Sequence, residues 1–389
     1  MIGAAVLRPD AIDKVRGEAR FVDDLAFPGM LHAAVIRSTV PHAKICKLDL
    51  KSVSKHPRVI CTLTANEIPG ENVVHVIYDD QPALADEIVR YIGEPIALLA
   101  AEDRTSANQA VKLATINYEE LPAVFDPLSA LSPDAPTVAV PAATEKAPNL
   151  FNAMRIRKGD VAQGFAQADV IVEGEYHTGY QEHAYLETQG AIAVPELNGA
   201  MAIYGTMQCP FYVQAAVAKV LGLPLSKVRV IQTATGGAFG GKEDVPSLVA
   251  CLAALLAWKV RRSVKLVFDR EEDILTTSKR HPSIVRYKSG AKADGTLTAI
   301  EVDFVYNAGA YQTLSPAVLW RGLMHAAGPY RIPHVKIDGR SVATNTVPCG
   351  AFRGFGSPQV IFAHESQMDR LAERLGIDRL EIRRRNALQ

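Results

Sequence analysis

Between residues 20 and 125, short apolar runs alternate with polar segments of helical period. MLHAAVIR (30–37), VICTL (59–63) and PIALLA (95–100) predict strands, and INY (116–118) predicts another. DRTSANQAVKLA (103–114) predicts a helix with an acidic first turn, which complements the positive end of its dipole. The pattern predicts an α+β domain over residues 1–125.

Residues 122–148 lose all periodicity and become rich in proline and alanine, which predicts a linker lying over the surface, with the domain connection at 126–150. Patterning resumes at ADVIVEGEYHTGY, an alternating strand from residue 168. IAVPELNGAMAIYGT predicts a hairpin turning at Asn198-Gly199. A helix is expected over 210–221, a strand over 228–233, and an Ala/Leu-rich buried helix over 247–258. A second hairpin turns at Asp294-Gly295, and a helix covers 360–375. The basic run Arg383 to Arg385 reads either as a dipole-favoured helix end or as a fold that continues in another polypeptide. No tandem repeat of solenoid length is present.

Composition narrows the class. Of the 389 residues, 48% are apolar and 22% charged, which fits two or three globular domains and excludes a disordered chain. A formal net charge of zero leaves no nucleic-acid footprint. The longest apolar run is too short to span a bilayer, and the first residues lack a signal-peptide pattern, so a soluble, cytoplasmic protein is expected. Cys46, Cys61, Cys209, Cys251 and Cys349 are scattered, without iron–sulfur spacing, and read as buried thiols in a reducing compartment.

The chemistry concentrates in two glycine-rich segments. GGAFGGKE (236–243) follows a strand, precedes a helix and satisfies GxxxxGK, the phosphate-cradling loop, up to its last position. There a magnesium-holding hydroxyl is required, and Glu243 would instead repel phosphate. A tight turn needs one or two glycines. Four of them around Phe239 favour a loop whose backbone approaches a cofactor closely and presents N–H groups to it.

GGAFGGKE resembles the glycine loop of the molybdenum hydroxylases, the family of xanthine dehydrogenase and aldehyde oxidase. GAFRGFGSPQ (350–359) resembles the longer second signature of that family. Gln208, in YGTMQCP, lies 35 positions before Glu243 as the family glutamine does. GEARFVDDL, STVPHAKI, KGDVAQGFAQADVIVEGEY, EHAYLE and SKRHP are similar to further family segments, so the resemblance covers the whole chain. It implies an α/β hammerhead domain (1–125), the connection (126–150) and the first half of a molybdopterin-binding domain of mixed sheets and helices (151–389).

The resemblance also implies roles. Molybdenum would be held by the dithiolene of a pterin, in mono- or dinucleotide form, rather than by side chains. Gln208 would hydrogen-bond the metal's oxo ligand, the backbone of Phe239 would lie beside the same oxygen, Gly240 would belong to the cofactor-binding loop, and the backbone of Arg353 would lie against the cofactor. Glu243, and Arg321 lying 32 positions before Arg353, would grip the substrate while Phe355 packs on its ring. Gln208, Glu243 and Arg321 are the expected catalytic set. Taken alone, each has a plainer reading: a surface amide for Gln208, a surface helix carboxylate for Glu243, a loop arginine for Arg321 and Arg353, and a core aromatic for Phe355. Together they imply hydroxylation of a purine-type heterocycle, hypoxanthine or xanthine, with oxygen taken from water. Nicotinate or another N-heterocycle is the alternative, with aldehydes behind it; a non-catalytic cofactor-holding half is the reading from a different class.

No counterpart of the family's Gly-Glu general base can be assigned. Glu182 and Glu187, in EHAYLE, do not match that motif. The resemblance therefore implies a partner chain carrying the C-terminal half of the molybdenum domain, as in nicotinate dehydrogenase, with 2Fe-2S and FAD on further chains. A truncated polypeptide is the other explanation for the missing base.

Overall fold

The computed structural model describes residues 2–139 and 147–389. Three sheets organise them. The largest has seven strands in the order Val228–Gln232, Met201–Gly205, Gly190–Pro195, Val264–Val267, Leu31–Arg37, Pro95–Ala101, Val59–Thr64. Its two halves come from opposite sides of the proline-rich stretch and meet where Leu31 and His32 pair in parallel with Val264 and Lys265. The predicted strands of the first unit are therefore the edge of a sheet that continues into the second.

The helix Val245–Val260 is buried all round from Pro246 to Ala257. It is apolar on every face and has no side to turn to water, so it packs against the helix Pro210–Leu221 and the strand Gly190–Pro195. The hairpin turn at Asn198 (φ 60°) and Gly199 (φ 72°) stands where the sequence places it. The helix predicted over 103–114 runs Arg104–Val111, with Asp103 as its N-cap; the Asp103 carboxylate accepts from the Ser106 amide at 2.8 Å.

The second sheet has five strands in the order Leu150–Lys158, His334–Ala343, Leu297–Gly309, Ser283–Ala291, Val170–Thr178. The helix Ser357–Leu375 covers two of these strands, and Ser315–His325 packs against both that helix and the strand His334–Ala343. A three-stranded sheet pairs Ala43–Asp49 with Ile88–Val89 and Thr115–Glu120. Ala43–Asp49 (AKICKLD) has one buried residue, so its pattern carries no strand signal. Among the described residues no helix is long and apolar enough to cross a membrane.

Two expectations need correction. The stretch after residue 122 does not lie over the surface in its described part. Val124, Ala130, Val138 and Ala139 are buried against Tyr311, Val342 and Ala343. Two buried asparagines replace sheet partners. The Asn149 side-chain oxygen accepts from the Val138 amide (2.7 Å), and its nitrogen donates to the Pro136 carbonyl (2.9 Å). Asn345 exchanges two hydrogen bonds with the Val124 backbone. These bonds let an aperiodic backbone be buried without orphaned polar groups. The remainder of that predicted linker, 140–146, falls outside the described residues. The cysteines are likewise not uniformly buried: all five are free thiols, of which Cys251 and Cys349 are buried and Cys46 is exposed.

The basic run near residue 383 is folded in. Arg383 pairs with Glu365 and Asp369 on the helix Ser357–Leu375, at 2.7 and 2.8 Å. The buried Asn386 caps the Asp294-Gly295 hairpin through Leu297 N and Gly295 O.

Candidate active site

The site grows from the open end of the Asn198-Gly199 hairpin. There the two chains leave their pairing and turn polar side chains toward the glycine loop. Glu187 and Gln189 come from one side, Thr206 and Gln208 from the other. The Gln208 amide donates to Lys242 O (2.6 Å), its Oε1 accepts from Gly240 N (3.0 Å), and Gln189 Nε2 donates to Gly241 O (2.6 Å). Because Oε1 must face the Gly240 donor, Nε2 of Gln208 has no protein partner among the described residues. Gln208 is exposed at this position.

The glycine loop then meets the second signature. Arg353 N donates to Phe239 O at 2.9 Å. Gly240 has φ +103°, and a β-carbon there would stand 2.6 Å from Ala351 O. The glycine is needed for loop-on-loop contact, and its amide is already bonded to Gln208. Unbonded donors are instead the successive amides of Gly237, Ala238 and Phe239, which meet no protein acceptor among the described residues. Phe239 itself is at φ 52°, with its ring half exposed.

The second loop is held from below. The ring of Phe352 lies between the His183 imidazole (centroids 4.4 Å apart) and the Arg280 guanidinium (4.1 Å). His183 Nε2 donates to Ala351 O at 2.7 Å, and Arg280 donates to Arg353 O at 2.9 Å. Burial pushes His183 down to about 4, so the ring is neutral at physiological pH.

Arg321 lies on a helix, Ser315–His325, and not in a loop. Tyr306 locks that helix to the second signature. Its hydroxyl sits under Gly322, where a β-carbon would be 2.4 Å away, and donates to Gly356 O at 2.7 Å. The Arg321 guanidinium therefore comes to rest 5.3 Å above the Phe355 ring. Phe355 (φ 50°) bridges the two main hydrophobic clusters. Among the described residues Arg321 has no carboxylate partner within ion-pair distance, and the Glu243 side chain has no hydrogen-bond partner. Glu243 is half-buried and held above the usual carboxylate range, by loss of water first and by the neighbouring Asp244 second. Arg321 is near enough to oppose that shift. Asp244, fully buried, is raised to about 6 by burial.

The structure thus brings Gln208, Phe239, Gly240, Glu243, Arg321, Arg353 and Phe355 to one junction of two loops and a helix. Its free donors, the Gln208 carboxamide and three successive amides, suit an oxygen-bearing group, so the residues fit the pterin-held metal that the sequence implies. Among the described residues no cluster of three His, Cys, Asp or Glu is placed to bind a metal directly. Glu182 and Glu187 are both committed elsewhere. Lys279 is 2.6 Å from Glu182, and Lys242 is 2.9 Å from Glu187.

Sequence reasoning assigned no role to Glu187, Gln189, Thr206, Lys242, His183 or Arg280, although EHAYLE and SKRHP contain three of them. Polar residues two apart at the open end of a predicted hairpin were the available signal.

Comparison with known proteins identifies the family. A family model described as "Aldehyde oxidase and xanthine dehydrogenase, a/b hammerhead domain" matches residues 16–122. One described as "Molybdopterin cofactor-binding domain" matches residues 143–387. The chain belongs to the molybdenum hydroxylase family of aldehyde oxidase and xanthine dehydrogenase. It is 40% identical to the nicotinate dehydrogenase large molybdopterin subunit of Eubacterium barkeri, over 100% of this chain and 90% of that one. It is also 40% identical to a probable xanthine dehydrogenase subunit of Bacillus subtilis, over 98% of this chain and 50% of that one. Among solved structures, the aldehyde oxidoreductase of Desulfovibrio gigas superposes with a TM-score of 0.90 at 32% identity. That match covers 98% of this chain and 43% of the other. The chain therefore spans nearly all of one relative and half or less of the other two.

Proposed function

We propose that this chain is the substrate-gripping half of a molybdenum hydroxylase that acts on a purine-type heterocycle, hypoxanthine or xanthine, in a cytoplasmic complex. Residues 1–125 form its hammerhead unit, 126–150 the connection, and 151–389 the first half of the cofactor domain. The observation that carries the reading is the meeting of Arg321, Phe355 and Glu243: a guanidinium over an aromatic face, with no carboxylate partner among the described residues, beside a carboxyl whose protonated form is favoured.

When bound, the molybdenum cofactor supplies a two-electron oxidation with oxygen originating in water. Gln208 Nε2 and the Gly237 to Phe239 amides are the donors that would orient it, with Arg353 and Gly240 fixing the two loops against each other. Phe355 offers an apolar face to a planar ring. Glu243, when neutral, donates to a ring nitrogen or carbonyl. Arg321 stabilises the negative charge that builds on the heterocycle during nucleophilic addition.

A general base, the remaining cofactor contacts and the electron path through 2Fe-2S and FAD are assigned to partner chains. Phe239 itself, and Phe211, Trp320 and Met324 within three positions of Gln208 or Arg321, are exposed large apolar residues, as a partner surface would require. Co-expression with a chain carrying the rest of the molybdenum domain should yield about one molybdenum per copy. The complex should oxidise hypoxanthine or xanthine, while the isolated chain turns over neither. A second reading, nicotinate hydroxylation, is favoured by the 90% coverage of the nicotinate dehydrogenase subunit. Turnover of nicotinate but not of purines would establish it.

A further inference from the structure

Below the glycine loop lies a buried charge. Lys242 is fully buried, with its ammonium 2.9 Å from Glu187 Oε2, 3.0 Å from Thr206 Oγ1 and 4.8 Å from the centre of the Tyr185 ring. The same Glu187 oxygen accepts from Gly236 N at 2.7 Å and from Thr206 Oγ1 at 2.6 Å. Glu187 N donates to Gly236 O at 3.1 Å, and Glu187 Oε1 is 3.4 Å from Val22 N. A β-carbon on Gly236 would stand 2.5 Å from that of Glu187, so the approach is as close as the chain allows.

One carboxylate oxygen therefore holds the first residue of the loop and the lysine at its far end. The crest between them, with Phe239 and the unbonded amides, has both feet fixed to a single atom. Side chains at successive positions point apart: Lys242 goes inward to Glu187, and Glu243 is sent outward toward Arg321. The Lys242 carbonyl also receives the Gln208 amide. The Gly240 amide aims the Gln208 carboxamide, and that amide in turn depends on where the loop is held.

We infer that Glu187, acting through Lys242 and Gly236, is the positioning residue that sets the glycine loop and with it the aim of Gln208 and Glu243. This rests on the functional reading only for its consequence in turnover; the clamp itself is a property of this chain. A merely structural ion pair would stabilise the fold without specifying the loop. Removing one member strands a buried charge, and removing both relieves that penalty.

The test uses hydrogen exchange across residues 234–244 of the full chain, together with its thermal midpoint, in Glu187→Gln, Lys242→Met, the double variant and Thr206→Val. The single charge variants should melt lower, and the double variant should recover much of the midpoint. In all three charge variants the bonded loop amides, those of Gly236, Gly240, Gly241 and Glu243, should exchange about tenfold faster or more, the factor carried by one lost charge-assisted hydrogen bond. Thr206→Val keeps both charges and should give a smaller increase in the same peptide. The inference is overturned if the double variant regains wild-type loop protection along with its midpoint. It is equally overturned if Glu187→Gln and Thr206→Val both leave the loop unchanged. Molybdenum content and substrate turnover of the complex are read separately. Loss of loop protection without any purine turnover in the wild type would sink the functional reading and leave the clamp standing.

Discussion

The Arg321 guanidinium rests 5.3 Å above the Phe355 ring, with no ion pair among the described residues, because Tyr306 ties the helix bearing one residue to the loop bearing the other. An arginine so placed is free to take a substrate oxygen without first breaking a salt bridge. Arg321→Met should lower kcat/KM for the purine about a hundredfold or more, with the loss mainly in kcat. Arg321→Lys should restore little, since a point charge cannot stack as the planar guanidinium does. Steady-state kinetics of the reconstituted complex measure both; an unchanged purine turnover in Arg321→Met would refute the pocket assignment.

Glu243 carries a pH signature. Its carboxyl is held above the usual range by burial and by Asp244, so the neutral, donating form persists to higher pH than in water. KM for the purine should be lowest on the acidic side and climb as pH rises through that elevated value. Glu243→Gln, which keeps a donor but cannot ionise, should flatten the profile, whereas Glu243→Ala should raise KM at every pH.

Gly240 is required by shape. Alanine there would combine a positive φ with a β-carbon 2.6 Å from a backbone oxygen of the second signature. Gly240→Ala should cost roughly 3 kcal/mol or more. A lowered thermal midpoint and loss of molybdenum from the complex would show it.

Glu94 links stability to pH far from the site. It is fully buried, accepts from Arg90 N and from the Tyr311 hydroxyl, and is pushed up to about 7 by burial. Its folded value lies above the ordinary 4.5, so the native state binds the proton more tightly between those two values. The contribution is full below about 4.5 and is lost as pH rises through about 7, by about 3 kcal/mol. Thermal melts from pH 4.5 to 8 should fall more steeply for the wild type than for Glu94→Gln.

Much of the architecture was legible in the sequence because it rests on local rules. The strand Val59–Thr64, the helix Pro210–Leu221 and the turns at Asn198-Gly199 and Asp294-Gly295 follow from period and turn chemistry. The all-apolar run of Val245–Val260 could only be buried. The two glycine signatures were visible as motifs, and the family resemblance they carry is what singled out Gln208, Glu243, Arg321 and Phe355. What stayed hidden depends on partners distant in sequence. Ser315–His325 did not read as a helix, since Gly322 is there to admit Tyr306. The stretch beyond residue 122 looked like a surface linker, because the asparagines that bury it lie at 149 and 345. The glycines promised close approach, but only the folded chain decided that Gly240 approaches Ala351 and Gly236 approaches Glu187. Residue type and spacing set which groups are available for chemistry. Which of them are spent on each other is set by contacts between segments tens to hundreds of residues apart, and among the described residues that left Arg321, the Glu243 carboxyl and the Gln208 side-chain nitrogen without partners.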